Sequence, residues 1–423
     1  MKHIKVSGHP SGEVTIPSSK SVVHRMMICA AMGNRCVKIG CKGAGDDIFA
    51  TADCLKALGA KIEILDDYIA LSPIDKSAIG NEIHHLECNE SGSTLRFMLP
   101  VAAALGAHSE FHGKGRLPER PLSPLYEEMV SHGIELGKKG VMPLSCKGKL
   151  PGGTYTIDGG VSSQFISGLL MALPITGQEC NIVITGKRES TPYIDMTLNI
   201  LKIFGVNVEE NATGYSIPQG AEFNTPTELY AEGDWSSASF WIVAGCIGNA
   251  PIRCNGIDYN HSVQGDRKVI DVLRSMGANI ETGNGYVIAH PSTLHGVETD
   301  CSNIPDAVPI LSVAAAMASS STTFRGIERL RLKESDRVET TMRMLQSFGI
   351  QCSATNSSIT VYPGKPVGGF VDSAADHRIA ASAAIMATVA EGFTTINNMD
   401  CISKSYPDFC KDFANLGGKL ETE

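Results

Sequence analysis

The sequence predicts an α/β protein assembled from repeated α+β units, and three observations carry that prediction. A phrase of helix, glycine and strand recurs six times at a nearly constant interval. A second apolar helix opens on Ser, Thr or Asp within each interval. Glycine is abundant at 43 residues while aromatic residues make up only 6%, the balance of α/β proteins with many tight turns. At 423 residues the chain exceeds one ordinary core, so two lobes or more are expected.

The six glycines are Gly59, Gly133, Gly205, Gly277, Gly349 and Gly417, spaced 68–74 residues apart. In the fifth copy Val338, Met342, Leu345 and Phe348 fall at helical spacing and form one apolar face. Gly349 then ends the helix. A hairpin follows the glycine. Ile62 and Ile64 turn through Asp66-Asp67 into Tyr68, and Ile280 turns through Gly283-Asn284-Gly285 into Tyr286. The earlier helix of each unit is expected to start near Ser18–Ser21, Ser91–Thr94, Ser162–Gln164, Ser236-Ser237, Pro305-Asp306 and Asp376-His377. Six units of about 70 residues make two lobes of three. The sixth unit has no return strand after Gly417, and His3–Val6 is a spare strand. The chain is therefore expected to begin in the last lobe, leave it and return. The lobes are 18–232 and 1–17 plus 233–423, with the two crossing segments as a hinge.

Composition excludes several function classes. With 36 Lys+Arg against 45 Asp+Glu the formal net charge is −9, which argues against a nucleic-acid binder. The longest apolar stretches, Ala238–Gly248 and Ile379–Ala390, are shorter than the roughly 20 residues that span a bilayer. The N-terminal residues lack the apolar core of a signal peptide, so a cytoplasmic protein is expected. The 13 cysteines contain no Cys-x-x-Cys and read as reduced thiols. His84-His85 lacks helical metal-site spacing and reads as surface.

Chemistry is expected at the helix starts, where free N–H groups and the helix dipole attract anions. Lys20, Ser21 and Arg25 lie on the first. Arg96 follows Ser91-Gly92-Ser93-Thr94, and Ser162, Ser163 and Gln164 open the third. Lys333–Arg337 and Asp376-His377-Arg378 open two more. If these ends converge they form a positive cleft for phosphate or carboxylate substrates. Each also has a plain structural reading. Ser162-Ser163 and Asp306 are ordinary caps, Glu334 and Arg337 form an i,i+3 pair on a solvated face, and His377 is packed.

The motifs in order resemble the EPSP synthase family of enolpyruvyl transferases over nearly the whole chain. The resemblance rests on Pro17–Arg25, Gly115–Pro121, Asp158–Phe165, Ser190–Asp195, Ile304–Ala307, Arg331–Arg337, Asp376–Arg378 and Ser403–Asp408. It implies a two-domain inside-out α/β barrel that closes over its substrates, with the active site in the cleft between lobes. It implies enolpyruvyl transfer from phosphoenolpyruvate to the 5-hydroxyl of 3-phosphoshikimate, through a tetrahedral ketal, with release of phosphate. Carried over by motif, Lys20, Ser21, Arg25, Ser162, Ser163, Gln164, Ser190, Tyr193, Asp306 and Lys333 hold 3-phosphoshikimate. Lys20, Gly92, Arg120, Gln164, Arg337, Arg378 and Lys404 hold phosphoenolpyruvate. Asp306 takes the hydroxyl proton, Glu334 protonates the methylene carbon, and Lys20 completes the catalytic set. The chemistry calls for no metal or organic cofactor, and a monomer without nucleic-acid or membrane partners is expected.

Three positions depart from the family pattern. Glu90 replaces a common asparagine and Phe97 a common proline beside the phosphoenolpyruvate site, which leaves sensitivity to the inhibitor glyphosate open, and Arg329 replaces a common asparagine near the sugar-like substrate. The nearest alternative is the sister transferase acting on UDP-N-acetylglucosamine. Its usual Lys-Asn is Lys20-Ser21 here, and its loop cysteine is absent from Gly115–Pro121. RNA 3'-phosphate cyclase would need a histidine motif that is not found. A non-catalytic anion-binding module would not require Asp306 or Glu334, yet both stand in their motifs.

Overall fold

The computed structural model describes residues 3–422. The chain divides into two compact units. One spans Ser18–Ala231; the other joins the segment ending at Pro17 to the chain from Glu232 onward. Each contains three separate four-stranded sheets.

All six sheets have one plan. In the second repeat, His84–Glu87 and Ser109–His112 run parallel with helix Gly92–Leu105 between them. Helix Leu125–Ser131 then leads to the hairpin of Glu135–Leu136 and Leu144–Lys147, which pairs antiparallel with Ser109–His112. Three sheets borrow a strand from distant sequence. Glu228–Tyr230 pairs with Val37–Gly40, and Gly12–Thr15 pairs with Ile252–Asn255. His3–Gly8 lies antiparallel between Thr394–Asn397 and Gly418–Thr422, filling the place of the missing return strand. Each unit thus closes on itself through segments far apart in the chain.

The six repeat glycines share one backbone role. All have positive φ, between 75° and 102°. After Leu345, for example, Ile350 N donates to Leu345 O at 3.0 Å and Gly349 N to Gln346 O at 2.9 Å. This bond pair satisfies carbonyls that a helix end leaves open, and it needs a residue in the left-handed region. The same pair recurs at Gly59, Gly133, Gly205 and Gly277.

The two helices of a repeat differ in burial. Trp235–Ile247, Val308–Ala316 and His377–Ala387 pack on one another and are buried on nearly every side. Helices such as Arg337–Ser347 keep a solvated face. Alanine-rich, all-round apolar sequence suits the first kind, and amphipathic sequence the second. Helices therefore occupy the interior of each unit with sheets against them, the layering of an inside-out barrel, although the three sheets remain distinct.

Several expectations need correction. The fourth repeat's inner helix is capped by Asp234, whose carboxylate accepts from Ser237 N, rather than by Ser236-Ser237. Asp306 lies inside the short turn Pro305–Ala307 and caps nothing with its side chain. His84 is not a surface residue: strand alternation turns it inward, where Nδ1 bonds Ala57 O at 2.8 Å. All thirteen cysteines are free thiols. Among the described residues no helix is long and apolar enough to cross a membrane.

Candidate active site

In the Ser18–Ala231 unit the predicted residues gather around buried arginines held by neutral partners. Arg25, on helix Lys20–Ala31, is almost fully buried. It donates to Thr197 Oγ1 at 2.6 Å, Ser21 O at 2.7 Å, Tyr193 O at 3.1 Å and Ser167 Oγ at 3.3 Å. Burial lowers its pKa to about 10. Arg25 thereby ties its own helix to Ser163–Ala172 and Thr191–Ile203. Phe97, a departure from the family pattern, stands 4.8 Å from the guanidinium and covers it by cation–π contact. His24 beside it joins Thr51 and Ser93, and burial pushes its pKa down to about 3, so it is neutral.

Four helix starts of this unit carry the remaining residues. Ser162 caps Ser163–Ala172 by accepting from Gln164 N, as its plain reading held. Gln164 Oε1 in turn accepts from Arg96 at 2.7 Å, and Arg96 also reaches Pro121 O at 2.8 Å. By sequence Arg96 is only a basic residue near a helix start, and its bridge from Gln164 to the Arg120 loop has no local signature. Gly92 is the first residue of helix Gly92–Leu105, and a Cβ there would lie 2.6 Å from Arg120 Cζ. The guanidinium rests where a side chain would be. Glu90, the second departure, packs its carboxylate against Gly115. Ser190 begins Thr191–Ile203 with φ 52°, a strained conformation for a residue with a Cβ. Lys20 pairs with Asp47 at 2.8 Å.

In the other unit the cations meet carboxylates. Arg337 begins helix Arg337–Ser347 and is 1% exposed, so Glu334 and Arg337 do pair, but not on a solvated face. Its Nη1 meets Asp306 at 2.7 Å and its Nη2 meets Glu334 at 2.6 Å. Asp376 takes Nε at 2.8 Å and Nη2 at 3.2 Å. Asp376 is fully buried, also accepts from Ser335 Oγ, and caps helix His377–Ala387 through Arg378 N. It was expected only as a helix start; its hold on Arg337 spans two repeats and has no local signature.

Asp306 is the most charged point of this cluster. Lys333 Nζ is 3.1 Å away and Arg378 Nη2 3.7 Å, besides Arg337. Burial would raise its pKa, but the three cations outweigh burial and hold it far below the ordinary carboxylate value. Burial lowers the pKa of Lys333 despite Asp306. Arg378 Nε is buried and makes no hydrogen bond among the described residues. Asp266 lies near Arg378, bonded to Ser236 Oγ, and burial pushes its pKa up to about 6. Lys404 is more exposed and reaches Ala375 O at 3.3 Å. Arg329 stands close enough to Lys333 to disfavour its charge.

A family model described as EPSP synthase (3-phosphoshikimate 1-carboxyvinyltransferase) matches residues 4–413. A 3-phosphoshikimate 1-carboxyvinyltransferase from Clostridium kluyveri is 37% identical over 424 residues, covering 100% of this chain and 99% of its own. The enzyme of that name from Clostridium acetobutylicum is 37% identical over 415 residues, covering 97% and 96%. Among solved structures, EPSP synthase from Acinetobacter baumannii superposes with a TM-score of 0.82 at 26% identity, over 100% of both chains. The enolpyruvyl transferase NikO from Streptomyces tendae shares the fold, with a TM-score of 0.78 at 18% identity over 100% of this chain and 98% of its own.

Proposed function

The chain belongs to the EPSP synthase family, and from that premise we propose that it transfers the enolpyruvyl group of phosphoenolpyruvate to the 5-hydroxyl of 3-phosphoshikimate. The observation that carries the reading is a single buried arginine. Arg337 holds Asp306 on one Nη and Glu334 on the other, while Asp376 fixes its remaining edge. Two carboxylates with opposite proton tasks thereby share one cation.

The ion pairs stand in for substrate anions. Phosphate and carboxylate groups compete for Lys333, Arg337 and Arg378, and planar guanidinium suits both. As those cations turn to substrate, the force depressing the Asp306 pKa weakens, and Asp306 gains the basicity to take the hydroxyl proton. Glu334 delivers a proton to the methylene carbon, the hydroxyl oxygen attacks the adjacent carbon, and a tetrahedral ketal forms. Loss of a methyl proton then restores the double bond as phosphate leaves. In the other unit Ser162, Ser163, Gln164, Ser190, Tyr193 and Ser21 hold 3-phosphoshikimate in this reading, near Arg25, which donates to Ser21 O and Tyr193 O. Lys20, Gly92 and Arg120 offer phosphoenolpyruvate an anion site within that unit, and Arg378 and Lys404 offer cations within theirs. We place the enzyme in the cytoplasm, as a monomer.

The test is an assay of purified protein with both substrates. Release of one phosphate per 5-enolpyruvylshikimate 3-phosphate is expected, and UDP-N-acetylglucosamine in place of 3-phosphoshikimate gives none. The reverse preference overturns the proposal.

A further inference from the structure

We propose that His85, Glu110 and His112 form a binding site for a divalent transition-metal ion, separate from the residues assigned to catalysis. The parallel strands His84–Glu87 and Ser109–His112 place His85 opposite Glu110 and Glu87 opposite His112. Because side chains alternate along a strand, all four project from the same face. Each imidazole stands near its own cross-strand carboxylate. His85 Nδ1 and His112 Nε2 also face each other at 3.3 Å, within hydrogen-bond reach. Glu110 Oε2 lies 3.4 Å from the first and 3.9 Å from the second. The point equidistant from these three atoms in their common plane lies about 2.1 Å from each, the length of Zn–N and Zn–O bonds.

Two further features fit an ion there. Glu87 Oε1 stands 3.9 Å from His112 Nδ1, the nitrogen that keeps its proton when Nε2 ligates. A carboxylate behind a ligating histidine fixes its tautomer and strengthens it as a donor. His85 is 61% exposed, so water can complete the coordination. Imidazole and carboxylate together suit zinc and its neighbours rather than calcium or magnesium. Periodicity could not reveal the trio, because its members come from two strands separated by a helix. The ion would clamp the strand ends just before the turn to Gly92 and the loop to Arg120. Those segments are already joined by Cys88 N to His112 O at 2.9 Å and Lys114 N to Asn89 O at 2.7 Å.

Untagged, metal-stripped protein titrated with Zn2+ by calorimetry tests the proposal. Wild type is expected to bind one equivalent that the His85→Ala/His112→Ala double variant lacks, with circular dichroism confirming that the variant is folded. Glu87→Gln is expected to weaken that equivalent by about tenfold or more. Equal zinc uptake in wild type and the double variant overturns the proposal. So does loss of the equivalent in Cys36→Ser, which would assign the ion to the exposed thiol. Co2+ loaded into the same protein is expected to lack a thiolate charge-transfer band; its presence also refutes the site.

Discussion

The two units neutralise their buried arginines in opposite ways. Arg25 spends its donors on two hydroxyls and two backbone carbonyls. Arg337 spends its donors on three carboxylates. A buried cation among neutral acceptors keeps its field and remains attractive to anions. A buried cation among carboxylates is nearly cancelled, but it holds groups that can exchange protons. The difference is between a unit whose buried cation keeps its field and a unit whose buried cation holds titratable groups.

Stability measurements break or sharpen this contrast most strongly. Arg337→Met leaves buried Asp376 without its ion pair and is expected to lower stability by about 3–5 kcal/mol in urea titration. Arg25→Met removes hydrogen bonds to neutral groups and should cost only about 1–3 kcal/mol. Equal losses would show that the carboxylates make no difference.

Asp266 gives the next effect, and its sign depends on pH. Its folded pKa of about 6 exceeds the unfolded carboxylate value, so the favourable contribution is complete below about pH 4 and is lost as pH rises through 6. Asp266→Asn is therefore expected to stabilise the protein by roughly 2–3 kcal/mol at pH 8 and by little near pH 4. A stabilisation independent of pH would count against the assignment.

Gly92→Ala tests the anion site of the other unit. The new methyl group displaces the Arg120 guanidinium from its seat. A charged hydrogen bond lost to substrate corresponds to a rise of about tenfold or more in KM for phosphoenolpyruvate, with 3-phosphoshikimate affinity nearly unchanged. An unchanged KM would remove Arg120 from that role. The smallest effect belongs to Phe97→Leu, which keeps the volume apolar but loses the cation–π contact with Arg25. About 1 kcal/mol of stability is expected to go in thermal melts, and a loss of several times that would point to packing instead.

What was legible in the sequence followed from local physics. The Gly349 phrase announced its helix end because the left-handed cap is a backbone requirement that few residues meet. Ser91, Ser162 and Asp376 announced helix starts for the same kind of reason. The charge network was legible only as residue identities within motifs. Asp306 looked like a cap, yet its partners Lys333, Arg337 and Arg378 arrive from other segments. Asp376 meets Arg337, and Gln164 meets Arg96, only once separate repeats pack. Periodicity carries no information about such contacts. The extra strand His3–Val6 was visible as a surplus because the repeat supplied a count against which it stood out.

The central claim is that Glu334, held by Arg337, supplies the proton to the methylene carbon. Exchange of the phosphoenolpyruvate methylene protons in D2O, followed by NMR with 3-phosphoshikimate present, tests it most directly. Wild type is expected to exchange them, while Glu334→Gln binds 3-phosphoshikimate normally but exchanges roughly 100- to 10,000-fold more slowly. Exchange at the wild-type rate in Glu334→Gln would contradict the account and move the carbon acid to another residue, with Lys20 and Lys404 the next to test.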